Sequence, residues 1–317
     1  MEQLEFCSDT NFLEATIARA FNNVRLDHFL VQVGLLGFSR SQITISIKTG
    51  SLKVNGSIVK PGYRVKTGDI ITGVLHGRDA DSFPEAQPVD FDILYEDSSI
   101  IVISKPPGLV VHPGSGNPQN TLVNGLLFYF RELADVGDPA RPGIVHRLDK
   151  DTSGVMVIAR SSLAHQRLVQ AFKDRTTEKQ YLALVHGKPL ERSGRIVAPI
   201  GRHPVNRQKM AVRERTGKYA VSNWYVHTLF DRHSLLEVSI ETGRTHQIRV
   251  HLSHMRYPVA GDQVYGGSRD NQPFARQMLH SWRLTLKHPE SGEAMTFEAP
   301  LAPDFQQVLD MMREPSC

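Results

Sequence analysis

A chain of 317 residues with 40% hydrophobic composition can bury one large core and a second small one, which excludes a disordered or fibrous protein. Only two cysteines occur, Cys7 and Cys317, so no disulfide framework is available and a reducing compartment, the cytoplasm, is expected. The net charge of +4 leans towards a polyanionic partner. The start, Met1-Glu2-Gln3-Leu4-Glu5, is acidic and apolar runs such as 126–130 are far too short to cross a bilayer, so neither export nor a membrane is expected.

Residues 1–24 show no clear period and read as a lead-in segment. From Arg25 the pattern sharpens: Leu26, Phe29, Leu30 and Val33 have helical spacing, and Ser39 stands where it would cap a second helix bearing Ile43 and Ile47, ended by Gly50. Leu52-Lys53-Val54, the turn Asn55-Gly56 and Ile58-Val59-Lys60 predict a hairpin, with a last strand around Asp69-Ile70-Ile71. This helix–helix–hairpin unit, 25–72, resembles an S4 RNA-binding domain. It holds seven Lys or Arg against two acids, a net of +5, which exceeds the charge of the whole chain. The resemblance implies that Arg25, Arg40, Lys48, Lys53 and Lys60 contact phosphates.

Residues 73–88 have no period and hold Gly, Pro, Asp and Ser, so they read as a linker to a large domain over 89–315. That domain opens with strands at Phe91–Glu96 and Ile100–Ser104, followed by a helix capped by Thr121 with Leu122, Val123, Leu126, Leu127 and Phe130 on one face. Ser161 or Ser162 starts a helix with Leu168, Val169 and Phe172, and Tyr181 to Val185 reads as a strand. Residues 202–218 carry six Lys or Arg against Glu214 and form a basic loop or hairpin. Strands at 219–230 and 234–241 precede a turn at Gly243, after which Thr245 is placed to cap a helix with Ile248, Leu252 and Met255 inward. Strands around Leu284 and Thr296 and a last helix with Phe305, Val308, Leu309 and Met312 buried complete the chain. Strands and helices without regular alternation predict an α+β fold with a largely antiparallel sheet in the large domain.

At the centre stands His146 to Gly154, HRLDKDTSG, a polar turn between the apolar runs 143–145 and 155–159. Asp149, Asp151, Ser153 and Gly154 sit at calcium-loop positions, but Arg160 stands where a bidentate Glu is required. Asp151-Thr152-Ser153-Gly154 is shared with the aspartic protease turn, yet no second such turn supplies the partner carboxylate. His251 and His254 are spaced i, i+3 on a helix, but the zincin pattern is absent, so no metal is expected.

The string HRLDKDTSG resembles the signature of the large-ribosomal-subunit family of pseudouridine synthases. The flanking strings match in family order: Lys105-Pro106-Pro107-Gly108-Leu109-Val110-Val111-His112-Pro113 before it, then 178–187, Thr242-Gly243-Arg244-Thr245-His246-Gln247-Ile248-Arg249-Val250-His251, and 261–266. Within the family the likeness is to the D-type branch, whose members modify a hairpin loop of the large ribosomal RNA. The resemblance implies exchange of the C1′–N1 bond of a uridine for C1′–C5 in 23S rRNA, free or in a pre-ribosomal particle, by a monomer without a cofactor. It implies Asp149 as the catalytic carboxylate and Arg249 as its ion-pair partner, since burial works against an ionised carboxylate. Arg147 would fill the gap left by the extruded nucleotide, Tyr181 would stack on the base, and Arg244 and His246 would support the RNA or the turn. A tRNA-modifying relative and a catalytically inactive rRNA-binding assembly factor are the alternatives; Asp149 and Arg249 together speak against the inactive one.

Overall fold

The computed structural model describes residues 4–7, 11–33, 38, 40–75, 84–114, 116–206, 209–266 and 274–313, and of 4–7 and 40–42 the backbone alone. The chain divides into two units, Met1–Phe83 and Pro84–Cys317, each with its own core.

In the smaller unit, β1 (Leu4–Cys7), β2 (Phe12–Thr16), β3 (Leu52–Val54) and β4 (Ile70–Val74) form an antiparallel sheet in the order β1-β2-β4-β3. From α1 (Leu26–Gln32) and α2 (Arg40–Lys48), the residues Leu26, Phe29, Leu30, Ile43 and Ile47 join Leu13, Ile17, Leu52 and Ile71 in one core. The stretch read as a lead-in therefore supplies a central strand; its alternation, Leu13 and Ala15 in, Phe12 and Glu14 out, is too short to stand out as a period. The expected hairpin is not formed. Val54 and Ser57 make one isolated bridge, but 58–60 is no strand and Ile58 is 65% exposed. Asn55, at φ 49, donates to Asp69 Oδ1 (2.8 Å) and accepts from Ile70 N–H (2.8 Å), which ties the turn to β4, and it is β4 that pairs with β3. Pro61, with no N–H to give a ladder, follows directly. Ser39, the expected cap, lies outside the described residues.

Of the stretch read as a linker, 73–74 finish β4, 76–83 lie outside the described residues, and 84–88 belong to the larger unit. Asn124 donates to Glu85 O (2.7 Å) and accepts the Gln87 N–H at its own carbonyl (3.1 Å), so this end is fastened to a helix.

The larger unit contains, in chain order, β5 (Asp92–Glu96), β6 (Ile100–Lys105), α3 (Leu122–Tyr129), β7 (Ser153–Ala159), α4 (Ser162–Asp174), β8 (Glu178–His186), β9 (Ser193–Val197), β10 (Ile200–Arg202), β11 (Met210–Val212), β12 (Val221–Leu229), β13 (His233–Ile240), α5 (Gln247–His254), β14 (Leu279–Lys287), β15 (Ala294–Glu298) and α6 (Pro303–Arg313). Its main sheet runs β5-β6-β7-β14-β8-β13-β12-β9, with β15 on β14; every pair is antiparallel except β7 with β14. The mixed α+β architecture is the expected one. The basic stretch is the β10–β11 hairpin. Strand β8 is buried on both faces: Tyr181, Ala183 and Val185 enter the main core, while Leu182 and Leu184 meet Phe305 and Leu309 of α6. That is why it reads as a near-continuous apolar run. Ser161 caps α4 by accepting the Ala164 N–H (3.1 Å); Leu168 carries the burial and Val169, expected inside, is exposed.

Strand β14 joins the two halves of the central motif. It pairs Ser281 with Gly154 on one side and with Tyr181 on the other, so the end of the polar turn and the tyrosine lie in one row. Gly154 has φ +113, and a Cβ there would sit 2.1 Å from the Ser281 carbonyl oxygen. Gly154→Ala is expected to destabilise the larger unit by about 3 kcal/mol or more, through forbidden backbone and displaced β14 together. Both tryptophans, Trp224 and Trp282, lie in that unit, so urea unfolding followed by their fluorescence reads it alone; an unchanged midpoint would contradict the close packing of β14 on the turn.

Candidate active site

The turn after β6 and the turn before β7 are held together by a buried lysine. Lys105 is 0% exposed, and its ammonium donates to Pro106 O (2.7 Å), Leu109 O (2.9 Å) and Lys150 O (2.9 Å). Burial pushes its pKa down to about 7, against the pull of Asp151. A second buried cation holds the next peptide: Arg276 Nη1 donates to Asp151 O (2.9 Å), Nη2 to Ser153 Oγ (3.2 Å), and the guanidinium forks onto Asp304 of α6 (2.7 and 2.9 Å). With Thr152 N–H on Asp149 O (3.1 Å), the backbone beside Asp149 has little freedom.

The Asp149 side chain is 19% exposed, and its Oδ2 accepts Arg249 Nη1 at 2.9 Å. Arg249, on α5, is forked onto Asp262 through Nε (2.7 Å) and Nη2 (2.9 Å). Asp262 Oδ1 also accepts the N–H groups of Val264 and Tyr265. Burial opposes the charge on Arg249, but the Asp262 hydrogen bonds and charge, and then Asp149, raise its pKa above the ordinary arginine value.

Helix α5 starts where expected but is not capped by Thr245. The N-cap is His246, in the left-handed region at φ 55, and Gln247 Oε1 braces the turn by accepting from the Thr242 hydroxyl (2.7 Å) and Arg244 N–H (3.1 Å). The left-handed residue brings the imidazole to Asp149, with Nε2 3.9 Å from Oδ1. His246 Nδ1 lies 2.8 Å from Tyr265 OH, whose oxygen accepts the Met210 N–H (2.8 Å). With its oxygen accepting that N–H, the Tyr265 hydroxyl can donate to Nδ1, and Nε2 is the ring nitrogen that faces Asp149. Burial lowers the His246 pKa, with Asp149 opposing.

Tyr181, 7% exposed, faces the same space; burial pushes its phenol up to about 12, so it is neutral at any working pH. A cavity of ≈ 90 Å³ is lined by Arg147, Asp149, Tyr181, Arg244, His246 and Arg249 among others, so all six residues read from the sequence meet at one place. Arg147 is exposed, and Arg244 is fastened by Nε to Tyr219 O (3.1 Å). In the smaller unit Lys48, Lys53 and Lys60 are exposed. Arg25 instead forks onto Asp27 (2.9 and 3.1 Å), which occupies donors expected to meet phosphate, and the Arg40 side chain lies outside the described residues. His251 has both ring nitrogens engaged by protein, with Ser222 Oγ (2.9 Å) and Ala198 O (3.0 Å). Among the described residues no group of three or more His, Cys, Asp or Glu is arranged to hold a metal.

Four residues of this arrangement escaped the sequence reading. Lys105, Asp262 and Tyr265 lie in strings that were noticed, but their partners are apparent only in three dimensions, and Arg276 belongs to no motif.

The RNA pseudouridylate synthase family profile matches residues 99–254, and the S4 domain profile matches 24–71. An uncharacterized RNA pseudouridine synthase of Bacillus subtilis is 41% identical over 304 residues, covering 96% of this chain and 99% of that protein. The chain belongs to the RNA pseudouridine synthase family. It is similar also to the ribosomal large subunit pseudouridine synthase D of Pseudomonas aeruginosa, 44% identical over 92% of both chains. The structure of human RNA pseudouridylate synthase domain containing 4 superposes with a TM-score of 0.56 at 27% identity, over 70% of this chain and 93% of that one. This RNA pseudouridine synthase is thus an isomerase with an S4 RNA-binding domain, and no described helix is long and apolar enough to cross a membrane.

A buried histidine, His280, and a partly buried one, His146, make the stability of the synthase frame depend on pH. His280 Nδ1 meets the Ser153 hydroxyl (2.9 Å) and Nε2 meets Ala299 O (3.2 Å); burial depresses its pKa to about 4. His146 accepts the Val157 N–H at Nε2 (3.0 Å) and stacks on Phe172; burial, then Lys179, depress it to about 3. The unfolded chain takes up these protons near 6.5 and the native chain does not, so stability is lost as pH falls below 6.5. Between pH 6.5 and 5 the loss is expected to reach about 2 kcal/mol for each histidine, a window that ends before carboxylates titrate. Tryptophan-detected urea unfolding at pH 7 and pH 5 measures it, and equal stability at both would refute the assignment.

Proposed function

We propose that this synthase isomerises uridines in large-subunit ribosomal RNA, with Asp149 as the catalytic carboxylate. The observation that carries the reading is the Asp149–Arg249 ion pair at 2.9 Å, opening onto the cavity that Tyr181 also lines. The reaction breaks N1–C1′, turns the uracil in place and forms C5–C1′. A carboxylate beside the sugar meets the charge that develops on the ribose, either as nucleophile at C1′ or as base for the 2′ proton. The reaction is redox-neutral and internal to the nucleotide, so it requires neither donor nor acceptor.

Tyr181 offers its ring to the extruded base. Its neutral phenol is no resting base, so a part in removing the C5 proton requires passing its own proton on in the same step, with Asp149 the carboxylate that lines the same cavity. Arg147, exposed at the cavity, suits the stacking gap that an extruded nucleotide leaves. The ribosomal substrate is supported by the similarity to a ribosomal large subunit enzyme over nearly the whole of both chains, and by the basic S4 unit.

Asp149→Asn is expected to remove turnover by at least about 10³-fold in single-turnover release of tritium from C5-labelled uridine in rRNA, while RNA affinity stays within about threefold. Stability should fall by only about 1 kcal/mol, because Arg249 keeps its fork on Asp262 and no orphan charge is buried. Turnover well above background would place the chemistry on another residue. Tyr181→Phe, run beside it, separates ring from hydroxyl: stacking survives, and full activity would confine Tyr181 to that role.

The S4 lysines are expected to act through charge. Replacing Lys48, Lys53 and Lys60 together by Gln should lower the slope of log affinity against log salt by about 2 to 3, at 0.7 to 0.9 for each phosphate contact. A slope equal to that of the parent would mean that these lysines face only water.

A further inference from the structure

A second cavity, of ≈ 430 Å³, lies against the first, and Arg147, Tyr181, Ile240, Gly243 and Arg244 line both. Its remaining wall comes from the end of α4 and the start of β8, where Phe172, Lys173, Arg175 and Lys179 stand. Five cations line it against one acid, Glu241, and that carboxylate is already paired with Arg195 at 3.1 Å. The size is that of a pocket for a small organic ligand, and the charge is that of a seat for an anion.

Lys179 is the telling residue. It is only 9% exposed, yet among the described residues no hydrogen bond or ion pair reaches its ammonium, which has only the Phe172 ring at 5.7 Å. Burial, and then Arg175, lower its pKa. Its stem is buried while its ammonium, at the cavity wall, has no protein counterion among the described residues, which leaves a ligand anion to supply one. Lys179 and Tyr181 are two apart on β8, so they point to the same face with their Cα atoms about 7 Å apart, comparable with one step of extended RNA backbone. Tyr219 organises the opposite side: its ring lies under the Arg175 guanidinium (5.6 Å) and its carbonyl accepts from Arg244 Nε (3.1 Å). Arg175 ends α4 in the left-handed region, φ 60, a conformation disfavoured for a side chain of this size.

We propose that this cavity seats the nucleotide adjoining the target uridine and grips the phosphodiester between them through Lys179, with Arg175 and Arg244 beside it. The proposal rests on the reading of the first cavity as the uridine site. Extrusion of the target leaves its neighbour attached by one phosphodiester, and the shared wall of Tyr181 and Arg244 puts that neighbour here. Lys179 is then a binding residue and not a proton donor.

The test begins with wild-type enzyme on transcripts of large-subunit rRNA and of tRNA; pseudouridine mapping in whichever is modified supplies a short RNA around the true target. Modification of tRNA alone would overturn the ribosomal reading without touching the subsite, which is then measured on that RNA. Lys179→Met, which keeps an apolar stem over Phe172, and the exposed Arg175→Met are each expected to raise the enzyme concentration for half-maximal single-turnover rate about tenfold. Each should also lower the salt slope by about 1, with the saturating rate changed less than threefold. A neutral methylphosphonate at the phosphodiester flanking the uridine should reproduce the tenfold loss with wild-type enzyme and add nothing further to Lys179→Met. Lys287→Met, exposed in the β14–β15 hairpin, serves as the unaltered control. The proposal is overturned by an unchanged half-saturation in both variants, by a loss in Lys179→Met confined to the saturating rate, or by equal further losses on methylphosphonate RNA in wild-type and Lys179→Met.

Discussion

One guanidinium shared between two carboxylates organises the catalytic unit. Arg249 gives Nε and Nη2 to Asp262 and keeps Nη1 for Asp149, so the fork that fixes its plane is separate from the bond it offers the site. A lysine has no such geometry: its point charge would be drawn to one carboxylate or the other. Asp262 is 0% exposed and would be untenable without the fork, whereas Asp149 keeps an opening to the cavity. The pair with Asp262 is thus structural, and it holds in place the pair with Asp149 that faces the cavity.

The rest of the unit brings these groups together and keeps them there. Lys105 and Arg276 bind the carbonyls of two successive residues, Lys150 and Asp151, which leaves the Asp149 backbone no alternative register. Arg276 is anchored in turn on Asp304 of α6, so the last helix reaches the turn through a salt bridge as well as through the core under β8. The only parallel pair in the sheet, β7 with β14, lies beneath this turn, and Gly154 is what lets the strands approach. Rigid positioning of this kind is what a reaction driven by orientation requires. It contrasts with Arg175 and Lys179 beside the neighbouring cavity, whose charged groups lie over the rings of Tyr219 and Phe172.

Charge is divided accordingly. Buried cations, Lys105, Arg249 and Arg276, are saturated by protein carbonyls and carboxylates and contribute to architecture. The lysines of the smaller unit are exposed, whereas Arg25 shares its guanidinium with Asp27 and keeps 48% of its side chain exposed.

The motif strings were legible in the sequence through their resemblance to a known family, each being short and made of particular residue types: a carboxylate in a turn, an arginine on the next motif, a tyrosine in a buried strand. Local periods likewise revealed α1, α3, α4, α6 and the long strands. Other features depended on partners far along the chain. Asp151 meets Arg276 across 125 positions and Arg249 takes Asp262 besides the expected Asp149, and no composition or spacing says which buried cation takes which further carboxylate or carbonyl. The Asn55-Gly56 hairpin gave way to β4, which takes the edge of β3 and holds the turn through the Asn55–Asp69 bond, and the strand from residues 12–16 pairs with the other side of β4. The cavity beside the site was beyond sequence for the same reason. Its basic character comes from the central turn, the end of α4, β8 and the turn at Gly243, four segments whose charges are gathered at one place only by the fold.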